Sequence, residues 1–207
     1  MKVVMLKLIE FAAGFGLDKL ERALMFGAGL VIALALATGS VQISHLWFAF
    51  IFRWLHVISG VMWIGLLWYF NFVQIPSMPK IPDEQKPAIG KVIAPTALFW
   101  FRYAALATVA TGIILGAMNG YLVDALLLGK LQGGATTYIG VGMWLALIMA
   151  FNVWNIIWPN QQIALGMVEA DADAKKAAAR TAMLTSRFNT MLSIPMLYFM
   201  VIVQQPL

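Results

Sequence analysis

The feature that most constrains this chain is an apolar run from Leu46 to Val73, in which Arg53 and His56 are the only basic residues. About 20 apolar residues suffice for a helix to cross a hydrocarbon layer of about 30 Å, so the run predicts a membrane-spanning helix. An imidazole at membrane depth is costly to keep. His56 therefore calls for a functional or structural explanation.

Composition extends this prediction to the whole chain. Of the 207 residues, 62% are hydrophobic and 11% are charged, which is more apolar side chain than one soluble core can bury. We predict an all-α integral membrane protein with a five-helix transmembrane bundle as a single domain over residues 23–207. An interfacial helix over residues 1–22 precedes it. The predicted spans are Ala23–Val41, Leu46–Val73, Thr96–Met118, Thr136–Trp158 and Phe188–Gln204.

The basic residues predict the orientation of the bundle. With a cytoplasmic N-terminus, only Arg53 and Lys130 of the 14 Lys and Arg residues lie on the opposite side, and such a bias favours this orientation. The C-terminus is then periplasmic. The net charge of +5 is an orientation signal, and it does not indicate a nucleic-acid partner. The cytoplasmic set is Lys2, Lys7, Lys19, Arg22, Lys80, Lys86, Lys91, Arg102, Lys175, Lys176, Arg180 and Arg187.

Shorter patterns predict the connections and the close contacts. Four prolines between residues 76 and 87 predict a stiff, partly extended segment, and the charge order in residues 166–186 predicts a short exposed helix. Four glycines mark helix faces where backbones can approach closely. These are Gly112, Gly116, Gly140 and Gly142.

One face of the second span combines an imidazole with a glycine and a tryptophan. His56, Gly60, Trp63 and Leu67 follow helical spacing, and a porphyrin needs an axial nitrogen beside a flat gap. The alternative is a histidine that bonds to a neighbouring helix. Arg53, one turn away, either pairs with a haem propionate or extends to the interface. With no cysteine, the chain cannot attach a c-type haem, and any metal or haem must use His45, His56, methionine or oxygen ligands.

A second group of polar residues is predicted near the cytoplasmic surface. Amide groups at membrane depth need partners, and the simpler interpretation is a structural latch between helices. The alternative is a site for an anionic ligand or a quinone headgroup. The predicted cluster comprises Asn71, Gln74, Arg102, Asn152, Asn155, Arg187 and Asn189.

Three phrases of the sequence resemble one family. They are Arg53–Gly65, Asn152-Val153 with Pro159-Asn160-Gln161, and Asn189–Leu197, and they are similar to the membrane domain of the membrane-bound bacterial urate oxidases. The resemblance implies a multi-pass protein of the bacterial inner membrane. Family members have further transmembrane helices, further histidines and a C-terminal cytochrome c domain. We therefore expect a truncated relative that does not complete urate oxidation alone.

The resemblance carries over only one haem-ligand position, His56. Where the family has histidine and glutamate, this chain has Phe99-Trp100-Phe101-Arg102, and where it has histidine before an asparagine pair, this chain has Ser186-Arg187-Phe188-Asn189. Two functions stay open. One is a module with haem b that exchanges electrons with a periplasmic cytochrome c or a quinone. The other is a cofactor-free accessory or assembly subunit of a larger respiratory or photosynthetic membrane complex.

Overall fold

The computed structural model describes residues 1–14 and 16–202, and this part of the chain is helical with no sheet. Seven continuous helices follow one another in the described part. The helices are α1 (Lys2–Ala13), α2 (Leu20–Ala37), α3 (His45–Lys80), α4 (Lys86–Met118), α5 (Leu122–Leu126), α6 (Ala135–Ala164) and α7 (Ala172–Ile202). Of these, α2, α3, α4 and α6 are long and apolar enough to cross a membrane.

Four of the five predicted spans are thereby confirmed as helices suited to a bilayer. The fifth lies in α7, whose described part is less apolar because Arg187, Asn189 and Ser193 interrupt it. The predicted end of that span, Gln204, lies outside the described residues. A crossing by α7, the membrane orientation and the interfacial position of α1 stay predictions.

The chain divides into two compact units, Met1–Phe48 and Ala49–Leu207. In the first unit, α2 buries no residue, and its C-terminal end is closed by local hydrogen bonds. Thr38 Oγ1 donates to the carbonyl of Leu34 at 2.8 Å, and Ser40 Oγ donates to the carbonyl of Ala35 at 3.1 Å. The same two carbonyls also accept the backbone N–H groups of Thr38 and Ser40, so backbone and side-chain donors close the last turn together.

The second unit has one hydrophobic core, to which α3, α4, α6 and α7 contribute. Trp63 and Leu67 of α3 and Phe101 of α4 are at most 1% exposed. Met149 and Val153 of α6 complete the centre of the core. In a bilayer such contacts stabilise helices through close van der Waals packing, because lipid removes the hydrophobic advantage of association.

The predicted stiff, partly extended segment over residues 76–87 is correct only in its middle, because Ile81 is extended and residues 81–85 interrupt the helices, whereas helix continues through Pro76 and resumes at Lys86. Proline normally breaks a helix, since it lacks an N–H group and its ring clashes with the carbonyl four residues earlier. Here a wider π-helical turn precedes Pro76, and the residue before the proline, Ile75, bonds to the carbonyl of Phe70, five residues back. Only residues 81–85 separate α3 from α4.

The same arrangement recurs at two other prolines. Ala94 donates to Ile89 before Pro95, and Trp158 donates to Val153 before Pro159, in each case across five residues. The extra residue in each turn relieves the clash with the proline ring, so the long helices stay continuous.

Helix α7 also differs from the prediction. The short exposed helix expected within residues 166–186 is not separate, because α7 runs without a break from Ala172 to Ile202 and passes through Pro195. Its alanine-rich first half has high helix propensity, which lets the charged segment extend directly from the apolar one.

Candidate functional site

His56 bonds to the neighbouring helix. Its Nδ1 atom lies 2.8 Å from the carbonyl oxygen of Thr108 on α4, and Thr111 Oγ1 lies 3.4 Å from the same nitrogen. A carbonyl oxygen only accepts hydrogen bonds, so Nδ1 carries the proton of the neutral ring. Nε2 is then the unprotonated nitrogen with a free lone pair. The half-buried imidazole thus joins α3 to α4.

Gly112, rather than Gly60, makes room for the imidazole. A Cβ atom at Gly112 would lie 3.0 Å from Cε1 and 3.2 Å from Nδ1 of His56, closer than ordinary van der Waals contact. A Cβ atom at Gly60 would instead lie 3.9 Å from Cγ2 of Thr108. The methyl group of Thr108 therefore faces Gly60, where the sequence predicted a flat gap.

The other two residues predicted beside the haem have different surroundings. Trp63 is 1% exposed within the core, and its Nε1 atom has no hydrogen-bond partner among the described residues. Arg53 is exposed. Burial raises the pKa of Tyr121, and the nearby positive charge of Arg53 partly opposes this rise. Arg53 thus lies close to the turn between α4 and α5.

The residues present meet one of the two requirements of a b-type haem. A ligating histidine commonly donates its other ring N–H to a carbonyl, as Nδ1 does to Thr108, which leaves Nε2 available. A porphyrin also needs a flat space beside the ring, but His56 itself bonds to α4 and Gly112 lies against its ring, so α3 and α4 are in direct contact there. The site as arranged does not fit a haem between α3 and α4.

The predicted polar cluster divides into two inter-helix contacts. On one side, Asn71 Nδ2 donates to Ser186 Oγ of α7 at 2.8 Å and to the carbonyl of Leu67 at 2.9 Å. One turn away, Trp68 Nε1 donates to Ser193 Oγ at 3.0 Å. These bonds join α3 to α7.

The second contact joins α6 to α7. Asn152 Nδ2 donates to Asn189 Oδ1 at 2.8 Å, and Asn189 Nδ2 donates to the carbonyl of Met149 at 2.9 Å. Asn189 is completely buried. Because both the acceptor Oδ1 and the donor Nδ2 of Asn189 are used, the side chain fixes the register of α7 against α6.

The remaining members of the predicted cluster take no part in these contacts. Asn155 is exposed and bonds to the carbonyl of Phe151 on its own helix at 3.1 Å, and Arg187 is exposed. Gln74 has a buried Oε1 with no donor among the described residues. Arg102 lies against aromatic rings of α6, with its guanidinium carbon 3.2 Å from the ring centroid of Trp158.

Sequence reasoning missed several partners in these contacts. Thr108, Ser186 and Ser193 were not identified, although Ser186, Asn189 and Ser193 stand three and four residues apart on α7 and so share one face. A row of small polar residues in an apolar helix was the signal that indicated an inter-helix contact.

Asp124 on α5 is a further residue that the sequence did not reveal. Its carboxylate is buried and accepts hydrogen bonds from the backbone N–H groups of Leu131 and Gln132 and from the hydroxyl of Thr136. The bond from Thr136, followed by the backbone bonds, lowers the pKa of Asp124, although burial opposes this. The carboxylate thereby holds the turn between α5 and α6, in which Leu128 has a φ of 54°.

Together, the long apolar helices and the hydrogen bonds between them define a multi-pass helical membrane protein. Residues 117–206 match the family model described as urate oxidase N-terminal. The resemblance to urate oxidase membrane domains is confirmed over that stretch, which contains α5, α6, α7 and two of the three motifs. The motif Arg53–Gly65 lies outside it. No curated protein and no solved structure matches the chain.

Proposed function

We propose that this chain is a cofactor-free helical subunit that packs into a larger respiratory or photosynthetic complex of the bacterial inner membrane. The observation that supports a cofactor-free subunit is the bond from His56 Nδ1 to the Thr108 carbonyl, with Gly112 against the ring, whereas the larger complex is the part of the proposal that the size of the native assembly tests. The imidazole of His56, the only histidine in the apolar run Leu46–Val73, then serves helix packing.

The amide contacts support the same function. Asn71, Asn152 and Asn189 direct their donors to groups on α6 or α7 or to a carbonyl of their own helix. Such bonds specify how helices meet, each at about 0.6 kcal/mol on average in membrane proteins. Residues with this role need no substrate or metal.

A second candidate function is a b-type haem module, and the tautomer of His56 favours it. In the neutral ring Nε2 carries no proton, and the hydrogen bonds of His56 among the described residues all involve Nδ1, which leaves Nε2 available, as an axial ligand requires. A haem would have to approach Nε2 from outside the α3–α4 contact. When bound, it would supply one-electron transfer to a periplasmic cytochrome c or a quinone.

Absorption spectra of the purified protein distinguish the two functions. Wild type and His56→Ala would be purified in mild detergent, and oxidised and dithionite-reduced spectra recorded at equal protein concentration. The cofactor-free function predicts no Soret band in either protein. A stoichiometric Soret band in wild type that His56→Ala abolishes would establish the haem function instead.

The size of the native assembly tests the accessory role. Affinity purification at native expression, followed by mass measurement in mild detergent, is expected to give a particle that contains other membrane subunits. A chain that elutes alone, as a monomer or a simple oligomer, would contradict the accessory role while leaving the helix contacts unaffected.

A further inference from the structure

Arg102 lies at the edge of the apolar part of α4 and has no carboxylate partner among the described residues. The one salt bridge among the described residues joins Lys86 to Asp83, and Arg102 uses only Nε, which donates to the carbonyl of Leu98 at 3.1 Å. A guanidinium group has five N–H donors, so four are left. The side chain is half-buried and thus within reach of a ligand.

Aromatic rings hold this guanidinium in place. Its central carbon lies 3.2 Å from the ring centroid of Trp158, 5.6 Å from that of Trp154 and 5.9 Å from that of Tyr103. Cation–π contacts of this kind contribute about 0.5–2 kcal/mol, but they do not neutralise the charge. The aromatic cage formed by Tyr103, Trp154 and Trp158 therefore orients Arg102, whose positive charge has no anionic partner among the described residues.

A second unpartnered donor lies in the same cage. Trp154 Nε1 is buried and has no acceptor among the described residues. Trp154 belongs to the π-helical turn Val153–Ile157, a local feature that is frequent at functional sites. The half-buried guanidinium therefore offers a positive charge, and the enclosed indole N–H lacks an acceptor; both groups are donors that bind oxygen atoms.

The level of this cage in the bilayer indicates the ligand. Lys86 and Lys91 lie N-terminal to Arg102 on α4, so the charge-free part of that helix is residues 103–118, roughly 24 Å long, and nineteen residues separate Ala135 from Trp154 on α6, roughly 28 Å. Both lengths approach the hydrocarbon thickness of about 30 Å. Tryptophan and tyrosine also favour the headgroup level, so these lengths and the ring types together favour a cage at the level of the lipid phosphates.

We infer that Arg102, Trp154 and Trp158 form a binding site for a phosphate oxyanion, which an anionic phospholipid headgroup supplies. Arginine matches phosphate oxygens with paired N–H donors, and the indole N–H of Trp154 supplies a third donor. The site is independent of His56, and it would bind its ligand whether or not the protein holds a haem.

Native mass spectrometry of the full chain tests the site. The protein would be exchanged into micelles with equal amounts of phosphatidylglycerol and phosphatidylcholine, and lipid retained per chain would be counted. We expect one tightly retained phosphatidylglycerol in wild type and about tenfold lower occupancy in Arg102→Gln, the loss expected for a charge-assisted hydrogen bond. The matched control is Arg187→Gln, an exposed arginine outside the cage, which should retain lipid like wild type.

Two further arms complete the test. Displacement of the lipid by inorganic phosphate would show that free phosphate occupies the same site, whereas retention would assign it to the lipid headgroup. Trp154→Phe removes the indole N–H but keeps an aromatic ring and leaves Arg102 in place. Reduced phosphatidylglycerol retention in this variant supports the site even if Arg102→Gln does not fold. Equal phosphatidylglycerol retention in wild type and in a folded Arg102→Gln, or in Trp154→Phe if only that variant folds, would overturn the inference.

Discussion

The imidazole of His56 and the backbone carbonyl of Thr108 form a hydrogen bond across the contact between α3 and α4, with Nδ1 2.8 Å from the oxygen. The bond satisfies an imidazole nitrogen that would otherwise lie unpaired in an apolar environment, and its acceptor, the Thr108 carbonyl, also accepts from Thr111 Oγ1 at 3.1 Å. It also explains the glycine opposite the ring, because any side chain at position 112 would occupy the space of the imidazole.

Replacement of Gly112 tests this contact. In Gly112→Ala the new Cβ would lie 3.0 Å from Cε1 of His56, so the ring must move and the bond to Thr108 must lengthen. We expect a loss of about 1–3 kcal/mol in the free energy of unfolding, measured by denaturation with sodium dodecyl sulfate in mixed micelles.

Gly60→Ala is the matched control for that variant. Its Cβ would make ordinary contact, 3.9 Å from Cγ2 of Thr108, so little or no destabilisation is expected. If Gly60→Ala were the more damaging of the two, the assignment of Gly112 as the residue that accommodates His56 would be wrong.

Gly140 should be the least replaceable glycine of the second unit. A Cβ atom there would overlap the backbone carbonyl of Ala125 on α5, and a backbone group cannot turn aside as a side chain can. We predict that Gly140→Ala destabilises the protein by about 3 kcal/mol. Gly65→Ala, which has no atom within 4 Å of the new Cβ, should unfold like wild type under the same detergent titration.

Asn189 is predicted to couple to Asn152. Removing either side chain leaves a buried amide partner unsatisfied, at a cost of about 1–3 kcal/mol. A double-mutant cycle with Asn152→Ala and Asn189→Ala should show a coupling energy between about 0.6 and 1.7 kcal/mol. Asn155→Ala paired with Asn189→Ala is the control, and additive effects are expected because Asn155 bonds only to its own helix. Additivity in the first cycle would contradict the contact.

The carboxylate of Asp124 should make stability depend on pH at the acidic end. Its pKa in the folded protein is below the ordinary value of 3.8, so the folded state favours the ionised form. The ionised carboxylate therefore stabilises the folded protein fully at pH values well above 3.8. This stabilisation is lost as the pH falls through 3.8 and then through the lower pKa of Asp124 in the folded protein. The thermal unfolding temperatures of wild type and Asp124→Asn should therefore differ most at neutral pH and converge on acidification.

Asp83→Asn provides the comparison for that titration. Asp83 is exposed and pairs with Lys86 at 2.5 Å, and this pairing lowers the pKa of Asp83. A surface pair of this kind contributes little to stability, so the variant should follow the wild-type profile at neutral pH. A difference between wild type and Asp124→Asn that stays constant down to pH 2 would show that the charge of Asp124 is not what holds the turn.

The sequence predicted which helix faces are buried better than what lies opposite them. The spacing of Trp63 and Leu67 indicated a buried face on the second span, and both residues are in the core. Spacing within one helix carries no information about Thr108, which approaches Gly60 from a segment 48 residues away in the chain. The flat gap at Gly60 was therefore predicted from the residues of α3 alone, without the residue of α4 that lies opposite.

The prolines show a second limit of local reasoning. Pro76, Pro95 and Pro159 each follow a wider helical turn, and a rule based on the ordinary i to i−4 bond cannot anticipate that a helix will continue through them. Of the predicted polar cluster, Asn71, Asn152 and Asn189 bond to other helices, whereas Arg187 on α7 is exposed. Asn155 bonds only to its own helix, and it lies in the π-helical turn Val153–Ile157, where the ordinary helical spacing does not predict which residues face inward.

The protonation and hydrogen bonding of the two ring nitrogens of His56 test most directly whether this histidine serves helix packing and binds no haem. The chain has two histidines, so nitrogen-15 labelling of histidine in His45→Gln leaves one ring to observe by magnetic resonance. We predict a protonated, hydrogen-bonded Nδ1, an unprotonated Nε2, and the same narrow signals before and after dithionite. Signals that are shifted or broadened in the oxidised protein and recover on reduction would place a paramagnetic iron at Nε2 and contradict the cofactor-free account.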